Sequence, residues 1–431
     1  MHQLRAVCEL TGVIESHMLN RRRFLACSFV AGASACLRNP LALAAEPQPF
    51  TPWIPGTLDI HHIATNRGNS TLMIQPDGTT LLVDAGALYA HTPYLVSTLP
   101  SEERRPGEWI GRYAKRHLSR AGLPNRIDAF MLTHHHDDHM GAVPPGVAKN
   151  RQGFVPTGVS DVDAIVPISR FVDRDPSFSY PAAAVEGYNA GPQENYKAFL
   201  KSKGAAVEKF RPGANEQFAL RHDAAKYPGF EVRNLAANGE VWTGEGTATR
   251  KTFPDITTLR MTEYPSENCC SAAIRVRYGN FSYYTGGDLP NGVPTGQPAW
   301  WNIETAVAKV CGKVSVALLN HHGYYDADGP EWVSMLQPRI FIIEAWDSAH
   351  PTVNTMQTLM STNLYPGPRD VFATFLNENN RLANKGTEKM LSRAGHIVVR
   401  VSPGGSTYTI FVLSNKDETD TPSGTFGPYT A

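Results

Sequence analysis

The residues best suited to chemistry stand together in Thr133–Met140, which reads Thr-His-His-His-Asp-Asp-His-Met. His134 and His136 are two apart, so on an extended strand end they point the same way and can grip one metal ion. Asp138 and His139 follow at once and can hold a second ion beside the first. Imidazole and carboxylate together suit borderline divalent metals: zinc above all, with manganese or iron as alternatives. His135 and Asp137 then point elsewhere. A solvated polyhistidine tract is the plain alternative, but such tracts rarely follow an apolar strand directly or interleave carboxylates. The elements on either side supply that setting. Ile127–Leu132 is an apolar run of strand length, and Gly141 with Pro144-Pro145 breaks regular structure after the cluster. The histidines therefore lie where a buried strand opens into a loop, the usual place for a scaffold to present working groups.

The pattern His-x-His-x-Asp-His, here His134, His136, Asp138 and His139, resembles the signature of the metallo-β-lactamase superfamily. The resemblance implies an α/β (α+β) fold, an αββα sandwich with a one- or two-metal hydrolytic site along one edge of the two sheets. It implies a bridging carboxylate after a strand and glycines, matched by Asp288 behind Thr285-Gly286-Gly287; two carboxylate oxygens can span two ions. His321 and His322, again at a strand end, offer the last histidine ligand. Adjacent side chains diverge, so one binds metal and the other faces substrate or solvent. Asp84, ending a strand before Ala85-Gly86, matches the residue that braces the ligand loop by hydrogen bonds without binding metal. Between Gly141 and Asp288 the sequence holds one histidine, His222. It is an uncertain metal ligand, and without it one ion, or a weakly held second, is expected.

A narrower likeness comes from Glu267-Asn268-Cys269-Cys270-Ser271, Asp288, His321-His322-Gly323 and His350-Pro351. Together they resemble the metallo-β-lactamase domain of competence DNA-uptake proteins and their free-standing relatives, over Leu58 to Val412. The membrane channel of the uptake proteins is absent, so transport does not carry over. That family's turn after the first strand often carries Asp where this chain has Asn69. The expected activity is metal-dependent hydrolysis of ester-like bonds, foremost a phosphodiester or phosphoester, by water whose pKa a metal lowers from about 15.7 toward about 7. Asp138 could orient that water and accept its proton, and His350 could donate to a developing oxyanion or phosphate oxygen. A β-lactamase or lactonase on the same site is the alternative. An iron-dependent redox enzyme and a non-catalytic binding protein of the same fold remain as rivals of other classes.

Composition sets the partners. No apolar run approaches the roughly 20 residues of a transmembrane helix. Residues 1–45 read as an export leader: Arg21-Arg22-Arg23-Phe24-Leu25 resembles a twin-arginine signal, a small-residue core runs from Ala26 to Leu37, and Ala42–Ala45 offers a cleavage site. The export machinery is then a partner and the destination periplasmic or secreted; lipid attachment at Cys36 is a weaker alternative. Without the leader, 35 basic residues face 38 acidic ones, a net charge of −3, which favours a small-molecule substrate over nucleic acid. One basic run survives, Arg104, Arg105, Arg112, Lys115, Arg116 and Arg120, read as the solvated face of a helix. Cys269, Cys270 and Cys311 are an odd set and are expected to be buried thiols, although a Cys311 bridge to one of the pair stays open.

Residues 46–57 read as a Pro-rich arm, 58–414 as the metallo-β-lactamase-fold domain and 415–431 as a polar, disordered tail. Within the domain, alternation and turn dipeptides predict strands over 58–63, 71–74, 80–83, 127–132, 230–235, 241–242, 272–277, 281–284, 314–319, 339–343, 371–375, 397–402 and 406–413. Helices are predicted over 109–121, 196–203 and 352–362. Residues 146–260, with Tyr180, Tyr188 and Tyr196, read as a family-specific insertion near the site mouth, packing a satellite core. His61 and His62 face opposite ways on the first strand, and both are read as structural.

Overall fold

Strands here alternate between two apolar faces, and that alternation decides the layers of the computed structural model, which describes residues 50–89, 95–177, 190–204, 206–292 and 296–431. The leader, Tyr180 and Tyr188 lie outside the described residues. The first sheet holds β1 (Leu58–His62), β2 (Thr71–Ile74), β3 (Thr80–Val83), β4 (Ala129–Leu132), β5 (Phe171–Asp173), β6 (Val207–Lys209), β15 (His396–Val401), β16 (Thr407–Leu413) and β17 (Pro422–Thr430), in the order 17-16-15-1-2-3-4-5-6. The second holds β7 (Phe230–Ala237), β8 (Glu240–Trp242), β9 (Thr249–Lys251), β10 (Ala273–Tyr278), β11 (Phe281–Thr285), β12 (Val316–Leu318), β13 (Ile340–Ile343) and β14 (Asp370–Ala373), in the order 14-13-12-11-10-7-8-9.

Ile60, Leu81, Met131, Ile274, Val316, Ile342 and Val399 face inward and make one core between the sheets. Their alternates pack outward. Leu82, Phe130 and Phe171 meet α1 (Pro106–Arg120), α3 (Val159–Ile165) and α4 (Ala190–Lys203) through Ile110, Val162 and Phe199. Ala317, Phe341 and Val371 meet α5 (Ile303–Cys311), α6 (Pro330–Leu336) and α7 (Val353–Leu359) through Val307, Trp332 and Leu359. Each such Leu, Val or Phe contributes about 1.5–3 kcal/mol by leaving water. The result is the expected αββα sandwich.

Within each sheet one run of strands is parallel: β3-β4-β5-β6 in the first and β11-β12-β13-β14 in the second. Parallel strands put their carboxyl ends on one sheet edge, where ligands bind in open α/β sheets. Asp84, His134, Asp288, His321, His322 and His350 all follow the carboxyl ends of these strands.

Three expectations change. Residues 146–260 do not form a satellite lobe: they supply β5 and β6 to the first sheet and β7, β8 and β9 to the second, and Tyr196, on α4, packs into the core. The segment after Ser414 is not disordered, because Pro422–Thr430 pairs antiparallel with β16 and buries Phe426 and Tyr429. The basic run is not simply solvated either. Arg112 and Arg116 pair with Glu418, Arg116 and Arg120 pair with Asp420, and Arg105 pairs with Asp161. Cys269, Cys270 and Cys311 are buried, and among the described residues none of them is in a disulfide. Among the described residues no helix is long and apolar enough to cross a membrane.

Candidate metal centre

The apolar strand β4 ends at Leu132, and Thr133 carries the chain over Asp84 at the end of β3. Asp84 accepts hydrogen bonds from the Thr133 backbone N–H and hydroxyl, both at 2.8 Å. Its own φ is 58°, a left-handed conformation uncommon outside glycine. From there His134, His135 and His136 lead into the one-turn helix α2 (Asp137–Met140). Gly86 makes this approach possible, since a Cβ there would lie 1.9 Å from the Asp138 carbonyl oxygen.

Two groups of side chains converge. Asp138, His139, Asp288 and His322, all buried, form the first; His134, His136 and Asp288 form the second. In each, one ligand atom per residue lies within 4.8 Å of the others. Asp288 belongs to both. Its Oδ1 is 3.2 Å from His139 Nε2, and its Oδ2 is 3.5 Å from His322 Nε2 and 3.7 Å from His134 Nε2. Asp138 Oδ2 is 3.0 Å from His322 Nε2.

The rings are held from behind. His139 Nδ1 lies 2.8 Å from Asp84, His322 Nδ1 2.9 Å from the Glu344 carbonyl oxygen, and His134 Nδ1 3.1 Å from the Thr133 hydroxyl. With Nδ1 engaged, Nε2 is the atom presented inward, the arrangement typical of metal-binding histidines.

Charge decides what the group lacks. Asp138 and Asp288 are buried, and among the described residues no Lys or Arg pairs with either. A buried carboxylate needs a countercharge. Here histidines must provide it: burial pulls His322 down, but Asp288 and Asp138 outweigh burial and lift it to about 10. His139 is raised in the same way, against burial, by Asp288, Asp138 and Asp84. His134 goes the other way, pushed well below the ordinary range by burial and then by the neighbouring His139. His139 Nε2 and Asp288 Oδ1 are buried and face each other at 3.2 Å, and neither has a partner in hydrogen-bond geometry. These residues fit a divalent ion, which would replace the imidazolium charge and take the orphaned atoms as ligands.

Of the two adjacent histidines, His322 joins the group. His321 stands at its rim, Nδ1 2.6 Å from Asp326 and Nε2 3.9 Å from Asp288 Oδ2. His350 is 4% exposed and stacks on His322, centroids 4.6 Å apart at 18°. His222 does not reach the site. Its backbone N–H bonds Asp77 in the β2–β3 turn and its ring lies 3.6 Å from Asp128 ahead of β4, so it sits at the amino ends of strands whose carboxyl ends carry the cluster. His61 bonds Tyr113 on the outer face, while His62 faces between the sheets and bonds Glu344 at 2.7 Å.

Sequence reasoning missed Glu344, whose carbonyl holds His322 and whose carboxylate accepts from the Thr71 hydroxyl and the Ser70 N–H. The available signal was an acidic residue directly after the apolar run Phe341–Ile343, the same pattern as Asp84. It also assigned no role to Glu267, which accepts from the His135 N–H at 2.7 Å and pairs with buried Arg174. His135 itself turns away to Asp173.

Fold and site together define an αββα protein with a buried His/Asp group able to hold a metal ion. No family model and no curated protein matches the chain. Among solved structures, the short form of human tRNase Z is similar with a TM-score of 0.30 and 9% identity, over 66% of this chain and 91% of that one. At that level the likeness adds nothing to what the strand order and the site geometry establish.

Proposed function

We propose that the protein is a metal-dependent hydrolase of ester-like bonds, with phosphodiesters or phosphoesters as the substrate class. One observation carries the reading: two buried carboxylates converge with three imidazole Nε2 atoms and, among the described residues, no Lys or Arg partner. In this reading His134, His136, Asp138, His139, Asp288 and His322 hold the metal, zinc by preference for such a nitrogen and oxygen set. Bound there, divalent ions supply Lewis acidity and an activated water. The protein's own part is orientation. Asp84 and the Glu344 carbonyl hold His139 and His322 with Nε2 inward, and the buried setting strengthens every charge interaction at the reacting bond. In this reading Asp138 accepts the proton of an attacking water, and His321, at the rim, contacts substrate.

The test is metal analysis of the purified chain together with a hydrolysis screen against phosphodiester, phosphomonoester, lactone and β-lactam reporters. Metal uptake abolished by Asp288→Asn, with turnover of a phosphoester reporter, is the expected result. Wild-type protein that takes up no divalent ion would end the metal reading. Turnover confined to lactone or β-lactam would move the substrate class.

A further inference from the structure

Glu304 on helix α5 is completely buried, and among the described residues no Lys, Arg or His pairs with it. An unpaired buried carboxylate is costly unless hydrogen bonds satisfy it. Glu304 has four. Oε1 accepts from the Gly329 N–H at 2.7 Å and from Asn291 Nδ2 at 3.2 Å. Oε2 accepts from the Asp328 N–H at 2.7 Å and from Asn320 Nδ2 at 3.2 Å. Four donors meet the two oxygens of one carboxyl group.

Those donors come from the two loops that carry metal-centre residues in the second half of the chain. Asn291 stands three residues after Asp288, and Asn320 stands two before His322. The loops are also tied to each other, the His321 N–H to the Gly287 carbonyl at 3.1 Å and the Asn291 N–H to the Asp326 carbonyl at 2.6 Å. The second loop needs holding. His321, His322 and Asp328 have φ of 44°, 56° and 56°, left-handed values that a residue with a Cβ resists and keeps only where its surroundings dictate them. Asp328 Oδ1 accepts from the Asn320 N–H at 3.0 Å, closing the turn from within. Gly329 passes so close that a Cβ would lie 2.1 Å from Asn291 Nδ2.

We propose that Glu304 is a positioning residue that locks Asp288 and His322 in register with each other, and so sets the metal affinity of the Asp138, His139, Asp288 and His322 group. The proposal rests on the metal reading above. Glutamine is the informative replacement, because it keeps the shape and leaves one oxygen for four donors.

The experiment titrates cobalt(II) into full-length wild type, Glu304→Gln and Asn291→Ser, each shown to be folded by circular dichroism. Affinity and the visible d–d absorption at saturation are recorded. For Glu304→Gln the affinity is expected to fall about 10–100-fold, the range found when partners behind metal ligands are removed, with a changed absorption band. Asn291→Ser removes one arm and is expected to fall between the two, and it decides the matter if Glu304→Gln does not fold. A merely structural role would lower the unfolding temperature of the metal-free protein and leave affinity and spectrum at wild-type values; that result overturns the proposal. A wild type that binds no cobalt overturns the metal reading itself, an outcome distinct from loss in the variant alone.

Discussion

His134, His139 and His322 each have Nδ1 engaged by a different backbone or side-chain oxygen, so their inward Nε2 atoms are a property of single residues and their immediate partners. His350 differs. It lies in neither converging group, and burial together with the neighbouring His322 and His321 pushes its pKa well below the ordinary range. A ring held that low is neutral at pH 7, so the part proposed for it is that of a hydrogen-bond donor rather than a general acid. His350→Ala is expected to keep the metal stoichiometry and to lower turnover of a reporter by ~10²-fold, the scale of one lost oxyanion donor. Elemental analysis beside steady-state kinetics checks this. Loss of an ion would make His350 a ligand, and unchanged turnover would reduce it to a packing surface for His322.

At the scale of elements, helix α1 and the C-terminal segment hold one another by charge. Asp420 is buried and accepts from Arg116 Nε and Nη2, both at 2.8 Å, with His117 Nε2 at 3.3 Å. Glu418 pairs with Arg112 and Arg116 alongside. Removing one partner of a buried ionic group leaves the others uncompensated. Asp420→Ala is expected to destabilise the protein by about 3–5 kcal/mol in urea unfolding without altering metal content. An effect below about 1 kcal/mol, the range of exposed pairs, would show that β17 is held by its strand pairing alone.

For the whole molecule, buried histidines away from the candidate metal centre predict the response to acid. Burial lowers His117 to about 4 and His396 to about 3, and lowers His61 as well. All three rings pack around Tyr113 on the outer face of the first sheet. Below pH 6.5 the unfolded chain binds protons at these rings that the folded chain refuses. Their contribution is whole above pH 6.5 and is lost as pH falls through about 4 and then about 3, at up to about 1.4 kcal/mol per pH unit for each ring. The urea midpoint is expected to drop between pH 7 and pH 4.5, and His396→Phe to flatten that drop. An unchanged slope in the variant would mean that other groups drive acid unfolding.

What could be read from the chain alone was whatever depends on near neighbours in sequence. The pairing of His134 with His136 follows from the period of a strand end, and that of Asp138 with His139 from their adjacency just behind it. The hairpin Thr71–Val83 follows from Asp77-Gly78, and the inward and outward faces follow from alternation along each strand. What required tertiary structure is whatever depends on partners far away. Which of His321 and His322 points inward was decided by a left-handed turn that Glu304, on another element, holds in place. His222 was excluded because the strands put it at their opposite ends. Pro422–Thr430 carries too little apolar pattern to announce a strand, and it becomes one because β16 offers an unpaired edge and the space for Phe426 and Tyr429. Local spacing decides which side chains can act together; burial and strand order, which are sums over the whole chain, decide which of them do.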